Sequence, residues 1–274
     1  MNTESMLFWT AAVLYCISAL VYILGTIARS EKLFSAGLFT TLAGFIPHVV
    51  SIALRWIQTG ITPFIAISES ITFAMGVTVL IFLIVQFSSK RVMPLGVLII
   101  PIVFILMGWA VTLREDAANQ LSPALQSGWI WVHIIGAASG FACVLTAAGL
   151  SLLYLIREKK VSWLSERLPG SKSLDMHSYR FVAGGFIMYT LMIVSGSFWA
   201  DQVKGSYWNW DPVEVWSLIS WLTYGIYLHL RITFGWKGER LAWYALIAAA
   251  FMIVSYWGIP FVVDTFHSGF RLEH

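Results

Sequence analysis

Charge is what this 274-residue chain lacks most. Asp, Glu, Lys and Arg supply 11% of it and apolar residues 58%, against about 25% charged and about 45 to 50% apolar in soluble domains. With a mean hydropathy of +0.77, the composition excludes a soluble fold and indicates an integral membrane protein. A spanning helix takes about 20 apolar residues, so eight spans use roughly 160 and leave only short connections. Any chemistry therefore sits within the bilayer or on the loops. The net charge of +3 is small and scattered, which excludes a nucleic-acid footprint. Only two cysteines occur, Cys16 and Cys143; both lie in apolar runs and neither belongs to a CxxC pair, so a dithiol redox motif is excluded and both read as packing residues. No signal-peptide pattern precedes the first apolar run, which is expected to stay in the protein. The last residues, 272–274, read as a tag remnant, leaving residues 1–271 as one transmembrane domain.

Apolar runs occur at 6–27, 34–54, 65–87, 92–113, 129–156, 181–200, 213–234 and 241–262. The expected fold is all-α: a polytopic helical bundle of about eight transmembrane helices. Thirteen Lys and Arg residues fall on one side of it, and four, Arg55, Arg114, Lys204 and Arg271, on the other. By the positive-inside rule both termini lie outside, the outer segments are 55–64, 114–128, 201–212 and the tail after 262, and the longest inner loop is 157–180.

The unusual residues gather on the outer side. Residues 198–221 read FWADQVKGSYWNWDPVEVWSLISW and hold five of the fourteen tryptophans, Trp199, Trp208, Trp210, Trp216 and Trp221. An interfacial aromatic belt accounts for Trp199 and Trp216. The crowding of Tyr207, Trp208 and Trp210 with Gly205 and Asn209 equally fits a platform for a flat apolar ligand. Asp211, Pro212 and Glu214 have the spacing of an N-cap, first helical residue and capping-box partner, which would fix the start of the next span.

Histidines supply the second signal. His48 lies near the middle of the second span, His229 in the inner half of the seventh, His133 near the outer end of the fifth, and His267 just beyond the eighth. An ionisable residue inside a span is a functional candidate by default, with a structural hydrogen bond as the alternative. Neutral imidazole ligates iron, and a bis-His haem takes two from separate elements, so these four form two candidate pairs. In an upright arrangement His48 and His229 differ in depth by roughly 15 Å, which tilt must absorb. His177 reads as a solvated loop residue. Arg55 is positioned to meet a carboxylate, a haem propionate among the candidates, or to snorkel to headgroups.

Taken together, these residues resemble the CcsA (ResC) family of cytochrome c biogenesis proteins, within the haem-handling group marked by a tryptophan-rich WWD segment. The resemblance rests on GSYWNWDPVEVWSLISWLTYGIYLHLR at 205–231, HVVSIALRWIQTGITPF at 48–64 with Glu69 following, LDMHSYR at 174–180, and HSGF from His267. It implies that haem b, both substrate and bound ligand, is drawn to a site ligated by His48 and His229. Haem would then be presented outside at the loop spanning 199–216, with His133 and His267 as axial ligands. Trp199, Tyr207, Trp208, Trp210, Trp216 and Arg55 would contact haem, and His133, His267, Trp208, Trp210 and Asp211 would form the reaction site. There the CxxCH thiols of an apocytochrome c add to the haem vinyl groups. Val213 departs from the family pattern, in which Lys is common after the Asp-Pro pair.

The resemblance further implies holocytochrome c synthase activity together with a CcsB/ResB-type membrane partner. The outer loops are too short to grip an apocytochrome alone, and membrane lipid surrounds the rest. A bacterial plasma membrane with the tryptophan loop on the extracytoplasmic side is the favoured location, ahead of a thylakoid membrane. The alternative is a CcmC-like presenter that hands haem to a chaperone; eight spans rather than six, and the segment from His48 to Glu69, favour the first reading. A two-haem electron-transfer cytochrome b would repeat its ligands on the same helices, whereas these lie on four elements.

Overall fold

The computed structural model describes residues 2–60, 62, 66–113, 127–160 and 163–263. His267, Arg114, Arg271, Pro63 and residues 272–274 lie outside the described residues. Helices account for the architecture, and no strand occurs among the described residues. The elements are α1 (Thr3–Ile27), α2 (Glu31–Thr59), α3 (Ile67–Ser88), a 3₁₀ turn (Lys90–Leu95) leading into α4 (Gly96–Thr112), α5 (Gly128–Glu158), the short α6 (Leu164–Arg167), α7 (Ser171–Lys204), α8 (Pro212–Ile232), and α9 (Glu239–Ile253), which continues through a π segment (Val254–Gly258) into α10 (Ile259–Val262).

Among the described residues seven helical segments are long and apolar enough to cross a membrane, so the protein is a polytopic helical membrane protein. Helix α8 is not among the seven, although its 21 residues reach about 32 Å. Its apolar character is diluted by Glu214, His229, Arg231 and several Trp and Tyr residues. Outward-facing Leu, Ile and Phe side chains, such as Ile27, Phe39, Ile57 and Ile105, are more than half exposed, as expected where lipid is the solvent.

Two loops expected from hydropathy are shorter than the apolar runs imply. Helix α7 starts at Ser171 and ends at Lys204, so 171–180 belongs to a helix and not to an inner loop, and His177 sits on its second turn. The connection expected over 201–212 reduces to residues 205–211. Hydropathy marks the stretch that crosses hydrocarbon, while a helix continues through polar residues for as long as its backbone bonds are made; 34 residues make about 51 Å of helix, well over a bilayer core of about 30 Å.

The chain divides into two compact units, residues 1–118 with 152–174, and residues 119–151 with 175–274. In the first unit α1 and α2 approach closely because glycines admit tyrosine rings. A β-carbon on Gly37 or Gly44 would lie 3.0 Å from Tyr22 or Tyr15. The Ser18 hydroxyl donates to the Gly37 carbonyl at 2.8 Å and meets Thr41 at 2.7 Å. Small residues and short polar bridges are how helices associate in lipid. Trp163 stacks on Phe34 and donates its indole N–H to the Thr26 carbonyl at 3.1 Å.

In the second unit the same device brings α5 against α7. A β-carbon on Gly136 would stand 3.0 Å from the Met188 carbonyl oxygen and the Met192 nitrogen, and one on Gly140 would stand 2.9 Å from Tyr189. Trp221 of α8 stacks on Phe186 of α7 and donates to the Thr190 hydroxyl at 2.8 Å. Both cysteines are free, half-buried thiols.

Candidate haem-binding site

The close approach at Gly136 sets the position of His133, one turn earlier on α5. Its Nδ1 lies 2.9 Å from the Met192 carbonyl oxygen of α7. A carbonyl only accepts, so Nδ1 carries the proton and the ring's lone pair is at Nε2. Iron-ligating histidines adopt this form, with the distal N–H held by a backbone acceptor. The ring lies at 30° to the buried Trp199 with centroids 6.4 Å apart. His133 thus fits an axial ligand by tautomer and support. Its expected counterpart, His267, is outside the described residues.

Beside His133 the second unit builds an aromatic array. Trp129, one turn before His133, stacks on Phe198 with centroids 4.7 Å apart, and Phe198 meets Tyr207 edge-on at 5.9 Å. The array runs from α5 across the end of α7 into the tryptophan loop. Ser127 donates to the Gln202 side chain at 2.5 Å and joins the same two helices. Within the loop Trp208 and Trp210 meet nearly perpendicular at 5.9 Å. Tyr207 is 55% and Trp210 74% exposed, while Trp208 and Trp216 are half-buried. Trp210 has φ of +55°, the left-handed region that non-glycine residues rarely take.

The expected capping box is present. Asp211 accepts from the Val213 N–H at 2.9 Å and starts α8, with Pro212 as first helical residue. Glu214 accepts from the Asp211 N–H at 3.3 Å and also from the Asn209 N–H at 2.8 Å. One carboxylate therefore pins the helix start and the loop ahead of it, which fixes the backbone on either side of Trp210.

His48, in the first unit, is in a different state. It is fully buried, its Nε2 is 3.1 Å from the Thr72 carbonyl oxygen and its Nδ1 is 3.1 Å from the Tyr15 hydroxyl. The carbonyl requires the proton on Nε2, so Tyr15 donates to the Nδ1 lone pair. Both nitrogens are engaged, and His48 in this arrangement joins α1, α2 and α3 as a hydrogen-bonded clasp. It does not fit haem ligation as it stands, which is the structural alternative that a buried histidine always carries. On the same helix the Arg55 Nε meets Glu69 at 2.9 Å, so the carboxylate facing Arg55 here comes from the protein. Glu69 also accepts from the Ala66 N–H at the start of α3 at 3.4 Å.

His229 belongs to the second unit and is exposed near the end of α8. Its Nδ1 shares a 3.2 Å hydrogen bond with the Thr233 hydroxyl, and its ring meets Phe234 edge-on. A hydroxyl serves as donor or acceptor, so this site fits a ligand with its lone pair at Nε2. Sequence reasoning missed the partners Tyr15, Thr72, Met192, Gly196 and Thr233. It also missed the ion pair of Asp175 with Arg231, bidentate at 2.7 and 2.8 Å.

Residues 64–267 match the family described as cytochrome c assembly protein. A cytochrome c biogenesis protein CcsA of Guillardia theta is 31% identical over 92% of this chain and 91% of its own. One from Prochlorococcus marinus is 31% identical over 80% and 79%. A solved structure of the cytochrome c haem lyase CcmF superposes with a TM-score of 0.68 at 16% identity, covering 99% of this chain and 49% of that one. The chain thus spans about half of that structure's length, and the likeness is one of fold. The chain belongs to the cytochrome c assembly protein family, as a member of its CcsA group.

Proposed function

We propose that the protein handles haem in cytochrome c maturation, presenting it at the tryptophan loop for covalent attachment to the CxxCH motif of an apocytochrome c. The observation that carries this reading is the His133 imidazole: its Nδ1 proton is committed to the Met192 carbonyl, its lone pair is at Nε2, and Trp199 and the Trp129–Phe198–Tyr207 array flank it. Family membership supports the same assignment.

His133 and His267 would hold the haem. Haem held there would supply the vinyl groups that the thiols attack. Tyr207, Trp208 and Trp210 would cover the ring's apolar surface, and Asp211 with Glu214 keeps the loop backbone still. Each apocytochrome thiol adds across a vinyl double bond: the sulfur bonds to one vinyl carbon, the thiol hydrogen ends on the other, and no net oxidation occurs. The CxxCH histidine then displaces one of the two protein histidines and releases the product. A CcsB/ResB-type partner supplies the grip on the polypeptide, since only residues 205–211 form the loop. The tryptophan loop lies on the extracytoplasmic side of a bacterial plasma membrane. His229 is the candidate ligand for haem in the inner half of the bundle. His48 contributes no step in the arrangement described.

The test is the His133→Gly variant, purified in mild detergent and read by its absorption spectrum before and after dithionite. The expected result is less haem per protein and its restoration by added imidazole. A spectrum identical to that of the wild type would overturn the assignment of His133.

A further inference from the structure

We propose that Asp175 and Thr233 are positioning residues for His229, holding its imidazole with the proton on Nδ1 and Nε2 presented to haem iron. The proposal rests on the reading of His229 as a haem ligand and adds the residues that make it one.

Helix α8 ends at Ile232 and α9 starts at Glu239, so the chain reverses within six residues. Gly235 and Gly238 take φ of +65° and +71°, which a side chain would oppose. The Thr233 N–H returns to the His229 carbonyl at 2.9 Å and the Trp236 N–H to the Leu230 carbonyl at 3.1 Å. These bonds close the near end of the turn but leave its far end untied.

Asp175, from the LDMHSYR stretch on α7, ties the far end. One oxygen accepts from the Gly238 N–H at 2.9 Å and from Arg231 at 2.8 Å, and the other accepts from Arg231 at 2.7 Å. Arg231 is 7% exposed and lies over the Tyr179 ring at 4.7 Å. A single carboxylate therefore joins the last turn of α8, where His229 sits, to the start of α9. A planar guanidinium in a two-point fork has far less freedom than a single contact would leave it.

The turn so fixed carries Thr233 and Phe234, both of which touch His229. The Thr233 hydroxyl is 3.2 Å from Nδ1, and Phe234 holds the ring edge-on with centroids 5.4 Å apart. When Nδ1 donates to this hydroxyl the lone pair is at Nε2 of an exposed residue. An acceptor on the far nitrogen orients a ligating imidazole and raises its basicity. Asp175 acts through the turn and Thr233 acts directly.

The experiment uses the full-length protein in detergent micelles with selectively ¹⁵N-labelled histidine, haem-free and haem-loaded, for Thr233→Val, Thr233→Ser, Asp175→Asn and His229→Gly. In haem-free Thr233→Val the His229 ring nitrogens shift and the other histidines do not. In the loaded protein the midpoint potential rises and haem affinity falls about tenfold. Thr233→Ser returns all three readouts to wild type, and Asp175→Asn moves them as Thr233→Val does. Because Asp175→Asn also strands a buried guanidinium, the Thr233 pair decides if that variant fails to fold. Wild-type ring shifts and potential in Thr233→Val, with His229→Gly losing haem, would overturn this proposal and leave His229 a ligand. No haem loss in His229→Gly would overturn the ligand reading and the proposal with it.

Discussion

Gly196 of α7 stands where His133 of α5 needs open space: a β-carbon there would lie 2.6 Å from the His133 Nδ1 atom and 3.0 Å from Cε1. The ring fits against α7 only because residue 196 has no side chain, and that fit lets Nδ1 reach the Met192 carbonyl one turn away. Gly196→Ala should push the ring off this acceptor, at about 1 to 3 kcal/mol for the crowding. The haem-to-protein ratio should fall toward that of His133→Gly. Since both changes act on one contact, the double variant should lose little more than either alone. Additive losses would mean that Gly196 acts elsewhere.

Tyr15 and His48 make the corresponding prediction in the first unit. Thr72 commits the His48 proton to Nε2, so Tyr15→Phe removes the donor at Nδ1 and leaves a buried acceptor unsatisfied. That costs about 1 to 3 kcal/mol, and thermal denaturation in detergent should show a lower Tm. His48→Gln should likewise lower Tm while leaving haem content near wild type. Loss of haem without loss of Tm would show that His48 leaves Thr72 and ligates.

How much of this was legible in the sequence depends on where the information resides. The tryptophan crowding and the Asp-Pro-x-Glu capping box are local signals, and both fall in the stretch that joins α7 to α8 in the second unit. For Arg55 the sequence leaves a propionate, another carboxylate and lipid headgroups all open, and the structure pairs it with Glu69. The partners of His48 and His133 were not legible because they are backbone carbonyls, which every residue carries, and only the pairing of helices selects Thr72 or Met192. Gly196 carried no signal for the same reason. The early start of α7 was hidden because hydropathy records the bilayer crossing and is blind to the polar helix continuing beyond it.

Glu214 binds both sides of Trp210, accepting from the Asn209 N–H before it and the Asp211 N–H after it. Glu214→Ala removes both and the reciprocal half of the capping box, with an expected loss of about 0.5 to 2 kcal/mol. Glu214→Gln keeps an acceptor oxygen and should fall between. Holocytochrome yield in a reconstituted maturation assay should follow the same order, since a loosened loop no longer holds its indoles in place. Full yield from Glu214→Ala would show that the loop's geometry is held by other contacts.

Trp210 separates folding from function most cleanly. Its φ of +55° is a conformation in which L side chains crowd their own carbonyl, at about 1 to 2 kcal/mol, and its ring is 74% exposed, so little packing offsets that strain. Glycine adopts this backbone freely but loses up to about 1 kcal/mol through greater freedom in the unfolded chain. Trp210→Gly should therefore leave Tm unchanged or slightly raised. If the indole covers the haem face, the same variant should lose cytochrome maturation despite its intact fold, and Trp210→Asn, which tolerates left-handed φ, should behave alike. Such backbone strain persists where a side chain is wanted for something other than stability. Normal maturation in both variants would reduce Trp210 to an interfacial residue, and a fall in Tm would show that its ring packs against more than Trp208.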